Sequence, residues 1–169
     1  MSGPMTINAA RMLCDVFYLA LVIWREARGA SHEAQVAIGW TVMNRVARPG
    51  WWGTTIDEIS TKRFQFSSLT APGDPQLVKW PVCSDASWLA CLGVAYDILH
   101  GDEPTMFPGA DSYYDDSIKA PAWTHGATLC GKIDNLNFYD VDHDHEAVAL
   151  VAAGGTSDFD NALKAFLDG

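Results

Sequence analysis

Apolar positions dominate the chain's first long segment, residues 10–29, up to Trp24. Met12, Val16, Leu19, Ile23 and Ala27 recur at helical spacing, and Phe17, Ala20 and Trp24 widen the same face. Arg25, Glu26 and Arg28 then arrive together, and Gly29 follows in the position of a C′ glycine. The pattern predicts a largely buried helix that ends in a polar corner.

Two further helices have clear start and stop signals. Ser31 is a good N-cap for a helix that runs to about residue 48. Ser84 or Asp85 caps a helix over residues 87–100, which Gly101 ends. Its predicted core stripe is Trp88, Cys91, Leu92, Ala95, Tyr96 and Leu99. A last amphipathic helix is predicted over residues 157–167.

The segments between these helices show other patterns. Residues 63–69 alternate Phe64 and Phe66 with Gln65 and Ser67, which predicts an extended piece with one apolar and one polar edge. Such a piece suits either a sugar-binding rim or an ordinary edge strand. Residues 110–139, punctuated by Gly, Asn and Asp, predict a small irregular or hairpin lobe.

Composition then limits the class of protein. With 169 residues, of which 49% are hydrophobic, the chain fits one globular domain over residues 1–169. The fold class is mainly α (α+β) with a small irregular or β lobe. The formal net charge of −10 argues against nucleic acid as a partner, because such binding depends on Lys and Arg at phosphates. We expect a monomer.

The N-terminal residues bear on localisation. Residues 1–8 carry no basic stretch of the kind that opens a secretory signal, and the apolar stretch 12–24 contains Asp15 and is short for a bilayer. We therefore expect synthesis in a cytosol without a signal peptide, and no membrane insertion.

Cysteine and acidic positions give little support for cross-links or metals. Cys14 and Cys91 lie in helical patterns, where we expect buried free thiols. A Cys83–Cys130 bridge is possible, but its support is only that these two of the four cysteines are left over. Residues 142–146 alternate Asp, Glu and His, but a contiguous acidic run is more often solvated than metal-binding. We expect no metal and no cofactor.

Glu26 is the candidate for acid–base chemistry. It lies in the last turn of an apolar helix, beside Ile23 and Trp24, where reduced hydration favours a neutral carboxyl that can act as a general acid. The alternative is a Glu paired with an Arg at a helix end, which spacing alone favours. The pair Asn44-Arg45, late on the second helix, either lines a cleft or caps neighbouring carbonyls, and capping is favoured on general grounds.

Short motifs, taken in order, resemble a known family. They are the stretch IWREARG at residues 23–29, QVAI at 35–38, NRV at 44–46, QFS at 65–67, YY at 113–114 and NFY at 137–139. This set is similar to SleB-like cell wall hydrolases, the spore cortex-lytic enzyme type, a family that also supplies phage endolysins. The resemblance covers about residues 13–139.

The resemblance implies a lysozyme-like or lytic-transglycosylase-like domain that acts on peptidoglycan glycan strands. It makes Glu26 the catalytic acid and reverses the preference for the ion-paired alternative. Gln65 and Ser67 would lie along the sugar rim, Tyr113 and Tyr114 would hold Glu26 or the glycan, and Asn44 is a weaker candidate. The chain departs from the family pattern at Ala30-Ser31, at Asp115-Asp116 and in lacking a His near residues 137–139.

Three functions remain open at this point. A lytic transglycosylase needs Glu26 alone, because the C6 hydroxyl of muramic acid is the nucleophile. A muramidase needs a second carboxylate, for which Asp111 or Asp115 is best placed. A glycan-binding domain without catalysis would use Trp51, Trp52 and the tyrosines. Absence of a recognisable leader suggests a phage endolysin that a separate membrane pore releases to the wall.

Overall fold

The computed structural model describes residues 6–48, 52–63 and 65–141, and these residues share one hydrophobic core. The elements in chain order are α1 (Ile7–Ala27), α2 (His32–Val46), α3 (Ile56–Thr61), α4 (Ser67–Thr70), α5 (Ala86–His100), β1 (Ser112–Asp115), a 3-10 turn (Ala122–Thr124), β2 (Thr128–Ile133) and β3 (Leu136–Asp140). The predicted fold class, mainly helical with a small β lobe, is confirmed. The predicted helix over residues 157–167 and the acidic run at 142–146 lie outside the described residues.

Helix α1 is the central element of the core. Thr6 caps it by accepting a hydrogen bond from the Ala9 amide, so the helix begins three residues before the predicted start. Every residue from Leu19 to Arg25 is buried, whereas Phe17, placed by the pattern on the core face, is 42% exposed. Gly29 follows the Arg28 cap without adopting the left-handed conformation of a C′ glycine.

Helix α1 is also longer than the segment 12–24 on which the expectation of no membrane insertion was based. By length and composition alone, its 21 residues are apolar enough to cross a bilayer. In the most apolar 18-residue stretch of this helix, 44% is buried inside the protein. The core helices of soluble proteins and signal sequences can be equally long and equally apolar. In this fold the helix packs against α2, α3 and α5.

Helices α2 and α5 pack closely on α1. Ser31 caps α2 through the Ala34 amide, and Asp85 caps α5, which Gly101 ends at a φ of 78°; these boundaries are confirmed within a residue or two. Gly39 of α2 permits the close approach of α2 and α5, because a Cβ at this position would lie 2.4 Å from Cδ1 of Ile98 on α5. The buried face of α5 differs in part from the predicted stripe: Val94 and Ile98 are buried. Leu92, Tyr96 and Leu99 are partly exposed.

The predicted extended piece over residues 63–69 is wrong in its second half. Residues 67–70 form the short helix α4, and the carbonyl of Phe66 accepts hydrogen bonds from the amides of Leu69 and Thr70. Phe66 itself is buried, 2% exposed, and anchors this turn in the core. Four residues are too few to show helical periodicity, so the alternation of the preceding residues misled the prediction.

The sheet forms the non-helical lobe. Its strand order is β1-β3-β2, antiparallel throughout, and β2 and β3 form a hairpin whose turn places Asp134 at a φ of 51°. A register irregularity separates Leu129 from Gly131. Phe138, at the centre of β3, is fully buried. The predicted hairpin lobe is confirmed, and its inner face joins the helical core.

Polar side chains at the end of α2 fasten the lobe to the helices. The Asn44 amide donates to the carbonyls of Phe107 and Ala110, at 3.1 and 2.9 Å. The Arg48 guanidinium donates to the carboxylates of Asp111 (3.1 Å) and Asp140 (3.3 Å), and both Arg48 and Asp111 are buried. Because Asp111 directly precedes β1, these contacts fix where the first strand begins.

All four cysteines are free thiols, so the Cys83–Cys130 bridge is not formed. Cys91 is buried as expected, and burial raises the pKa of its thiol to about 12. Cys14 is exposed, contrary to the prediction, because it lies on the solvent side of α1.

Replacing Asp111 by alanine tests the anchoring of the lobe. Among the described residues it leaves the buried Arg48 guanidinium paired with the more exposed Asp140 alone, and breaking a buried ion pair costs up to about 3 to 5 kcal/mol. We expect Asp111→Ala to lower the free energy of unfolding by that amount in urea denaturation. Lys132→Ala, which breaks the exposed pair with Asp116, is the control and should change stability far less. Equal effects would contradict the anchoring role.

Candidate active site

A cleft of about 470 Å³ opens where the helical core meets the sheet. This volume is within the range of small-ligand sites in proteins. It is lined from α1, α2, α4, β1 and the segments that join them, by Glu26, Arg45, Trp52, Gln65, Phe66, Ser67, Ser112, Tyr113, Trp123 and Val141.

Glu26 lies in the wall of this cleft with both carboxyl oxygens hydrogen-bonded. Oε1 accepts from the Ser68 hydroxyl at 2.5 Å, and Oε2 accepts from the Tyr113 hydroxyl at 2.9 Å. Two donors on two oxygens fix the orientation of the carboxyl group. Hydroxyls can donate or accept, so both bonds can persist when Glu26 carries a proton.

The basic neighbours of Glu26 bind elsewhere. Among the described residues Glu26 forms no ion pair, so the interpretation of a Glu paired with an Arg at the helix end is wrong. Nη1 of Arg25 donates to the carbonyl of Ser68 at 2.7 Å and to the carbonyl of Gln76. The Arg28 guanidinium lies 4.5 Å from the ring centre of Trp24. Arg25 therefore holds the residue that contacts Glu26.

Tyr113 is positioned by the first strand. It pairs with Phe138 in the sheet, and the two rings are 5.6 Å apart on the inner face. Burial, and next the negative charge of Glu26, raise the pKa of Tyr113 well above its usual value. The phenol therefore keeps its proton at physiological pH and remains a hydrogen-bond donor to Glu26.

Arg45 supplies the positive charge of the cleft. It is 5% exposed, its Nε donates to the carbonyl of Asp111 at 2.7 Å, and its guanidinium carbon lies 4.4 Å from the ring of Trp52 and 4.8 Å from that of Phe66. Burial lowers the pKa of Arg45 to about 10, which leaves it charged at neutral pH. The sequence offered cleft lining or capping for the pair Asn44-Arg45; Arg45 lines the cleft, whereas Asn44 binds loop carbonyls.

The structure brings some of the predicted substrate residues to the cleft and not others. Gln65, Ser67 and Tyr113 line it with Glu26. Tyr114 alternates to the other face of β1, where its ring lies 6.0 Å from that of Tyr139. Asn44 is outside the cleft lining, and its amide binds the two loop carbonyls described above.

The two candidates for a second carboxylate are occupied by other contacts. Asp111 is buried in its ion pair with Arg48 and also accepts from the Val141 amide. Asp115 accepts a hydrogen bond from the Ser117 amide at 2.7 Å, and the hydrogen bonds from the Ser117 hydroxyl and then from this amide lower the pKa of the Asp115 carboxyl. Neither lines the cleft, and Glu26 is the single carboxylate that does so among the described residues.

Sequence reasoning missed Ser68 and Trp123. Ser68 adjoins the predicted Ser67. In the extended segment that the sequence predicted, however, Ser67 lies on the polar edge and Ser68 therefore on the opposite edge. Trp123, in the 3-10 turn, lines the cleft and contacts the rings of Tyr114 and Tyr139 edge-on at 6.1 and 5.7 Å. Trp52 lies beneath Arg45 and is only 6% exposed, and Trp51 lies outside the described residues.

The donor set supports acid–base chemistry. Within the residues that the structure describes, no group of three or more His, Cys, Asp or Glu side chains could hold a metal ion. The cleft instead combines one oriented carboxyl, a hydroxyl on each of its oxygens, a buried guanidinium and aromatic surface.

Comparisons with known proteins agree with the motif order. A family model described as Cell Wall Hydrolase matches residues 29–139. A curated relative, the spore cortex-lytic enzyme of Halalkalibacterium halodurans, is 28% identical over 109 residues, which are 64% of this chain and 29% of that protein. The chain thus matches less than a third of the relative's length.

No solved structure matches the chain significantly, so the comparisons provide no structural counterpart for the predicted lysozyme-like fold. The family match begins three residues after Glu26, and the role of that carboxyl therefore depends on the geometry above. Because the matched segment covers well over half of the sequence and contains Arg45, Ser68 and Tyr113, the chain belongs to the cell wall hydrolase family.

Proposed function

We propose that the protein cleaves the β-1,4 glycosidic bond between MurNAc and GlcNAc in peptidoglycan, as a lytic transglycosylase with Glu26 as general acid and base. The observation that carries the proposal is the oriented Glu26 carboxyl, the single carboxylate of the cleft in the described part of the chain. Membership of the cell wall hydrolase family supports the substrate class.

The reaction follows from one carboxyl group. Glu26 donates its proton to the oxygen that leaves with GlcNAc, and the bond from that oxygen to C1 of MurNAc breaks. The C6 hydroxyl of the same MurNAc then attacks C1 and transfers its proton to Glu26, which restores the starting state. The product is a 1,6-anhydro sugar, and no water is consumed.

The surrounding groups have supporting roles in this scheme. Ser68 and Tyr113 hold the carboxyl through both proton transfers, since a protonated carboxyl still accepts hydrogen bonds and its proton stays available to the substrate. Gln65 and Ser67 offer polar contacts along the cleft, and Trp123 offers an aromatic surface of the kind on which sugar rings stack. Tyr114, which contacts Trp123, supports that ring rather than the carboxyl.

The products and the Glu26→Gln variant together test the mechanism. We expect mass spectrometry of soluble fragments from purified peptidoglycan to find glycan ends in 1,6-anhydro-MurNAc, lighter by one water than reducing ends. Glu26→Gln removes the transferable proton but keeps the size of the side chain, so release should fall by about 10²-fold or more. Circular dichroism should show an unchanged fold.

Other outcomes of this experiment are equally informative. Reducing MurNAc ends would establish a muramidase and require a second carboxylate beyond the described cleft lining. Undiminished release by Glu26→Gln would remove Glu26 from the mechanism. Binding to peptidoglycan without any release by the native chain would indicate a glycan-binding domain.

Tyr113→Phe tests the positioning of Glu26. The change removes one hydroxyl and keeps the ring, and a hydrogen bond to a charged group contributes about 1.5 to 3 kcal/mol. We therefore expect kcat for fragment release to fall roughly 10- to 100-fold. Tyr114→Phe is the matched control, and its effect should be much smaller because its hydroxyl faces Tyr139. Equal losses in the two variants would argue against the Tyr113–Glu26 contact.

We further propose that the protein is a phage endolysin released by a separate membrane pore, as the family resemblance suggests. Expression in a bacterial cytoplasm should then cause lysis only when a pore-forming protein is co-expressed, which culture turbidity would follow. Glu26→Gln with the same pore is the control. Lysis without a pore would contradict this route and direct attention to export of the chain through its apolar α1.

A further inference from the structure

Arg45 is a charged group in the cleft that the mechanism above does not use. The chain carries a formal net charge of −10, so its body repels anions such as the carboxylates of peptidoglycan. The described cleft lining contains one acid, Glu26, and one base, Arg45. The cleft is therefore neutral when Glu26 is ionised and positive when Glu26 is protonated, unlike the rest of the molecule.

The contacts of Arg45 leave part of its guanidinium unused. The rings of Trp52 and Phe66 lie 4.4 and 4.8 Å from the guanidinium carbon, and Nε donates to the carbonyl of Asp111. Nη1 is buried and has no hydrogen-bond partner among the described residues. A buried donor of this kind costs free energy unless a partner is supplied.

Nearby carboxylates in the described part of the chain do not accept a hydrogen bond from the unpaired Nη1 of Arg45. Both oxygens of Glu26 are bound by Ser68 and Tyr113, and the carboxylate of Asp111 is bound by Arg48. Within the described residues Arg45 makes no ion pair. Its charge is thus preserved in a site where a carboxylate from outside would be its natural partner, because the planar edge of a guanidinium matches a carboxylate in geometry.

We propose that Arg45 binds a carboxylate of the substrate and so directs the glycan strand into the cleft beside Glu26. This inference rests on the proposed function, since it assigns a substrate group to the same cleft. Two sources share the required chemistry: the lactyl carboxylate of MurNAc in strands without peptide, and the carboxylates of the stem peptide. The aromatic rings hold the guanidinium in place, which reduces the entropy lost on binding.

The experiment measures binding in the Glu26→Gln background, where ligands are not turned over. The ligands are peptide-free GlcNAc–MurNAc oligomers, the same oligomers with the lactyl carboxylates converted to neutral methylamides, peptide-bearing strands, and chitin oligomers of equal length. We expect the charged ligands to bind about tenfold or more tightly than the neutral ones in calorimetric titration. Preference for peptide-free oligomers over their methylamides identifies the lactyl group, and preference confined to peptide-bearing strands identifies the stem.

Arg45→Gln should abolish this preference, and Arg45→Lys, which keeps the charge but not the planar fork, should retain part of it. Arg11→Gln is the matched control, because it makes the same change in net charge at an exposed position of α1. It should leave the preference intact. If Arg45→Gln fails to fold, the Arg45→Lys variant and the ligand series still decide the question.

Each outcome has one meaning. Equal affinity for charged and neutral glycans, or a preference that survives in the Arg45 variants, would overturn the carboxylate site and leave the proposed function standing. Failure to bind any of the glycans would instead count against the proposed function itself.

Discussion

The buried ion pair between Arg48 and Asp111 is the interaction on which the site depends most. It joins the end of α2 to the residue before β1, and Asn44 and Arg45 add hydrogen bonds to the same stretch of backbone. Because Tyr113 is two residues beyond Asp111, this junction sets the distance from its hydroxyl to Glu26. Glu26 and its donor Ser68 are on the helical side of the cleft and its other donor, Tyr113, is on the sheet side, so neither lobe forms the site alone.

Glu26 is held by two donors that are themselves positioned from opposite sides. Tyr113 is held by the sheet, whereas Ser68 is held through its carbonyl by Arg25, the neighbour of Glu26 on α1. A preorganised carboxyl loses little entropy when a substrate arrives. The basic residues beside Glu26 thus act on the loops around it, and the helix directs their side chains away from the carboxyl.

Charge is distributed unevenly between the surface and the cleft. The whole chain carries a formal net charge of −10, while the described cleft lining contains one carboxyl and one guanidinium. The rings of Trp52 and Phe66 both lie within 5 Å of the Arg45 guanidinium carbon, and this contact allows a cation to remain in a nearly dry position. If the proposed function holds, this is how an acidic protein presents a site suited to an anionic polymer.

Periodicity predicted all three long helices, because each has enough turns to show its pattern. The N-caps Ser31 and Asp85 also fixed where α2 and α5 begin, whereas the Thr6 cap of α1 was recognised only in the structure. The ordered motifs likewise singled out Glu26 and Tyr113. Sequence could not indicate that Ser68 rather than Ser67 binds Glu26, that Tyr114 faces away, or that Asn44 binds the loop. The first outcome depends on the four-residue helix α4, and the second on the alternation of side chains along β1. The contacts of Ser68 and Asn44 join residues more than 40 positions apart, which only tertiary packing brings together.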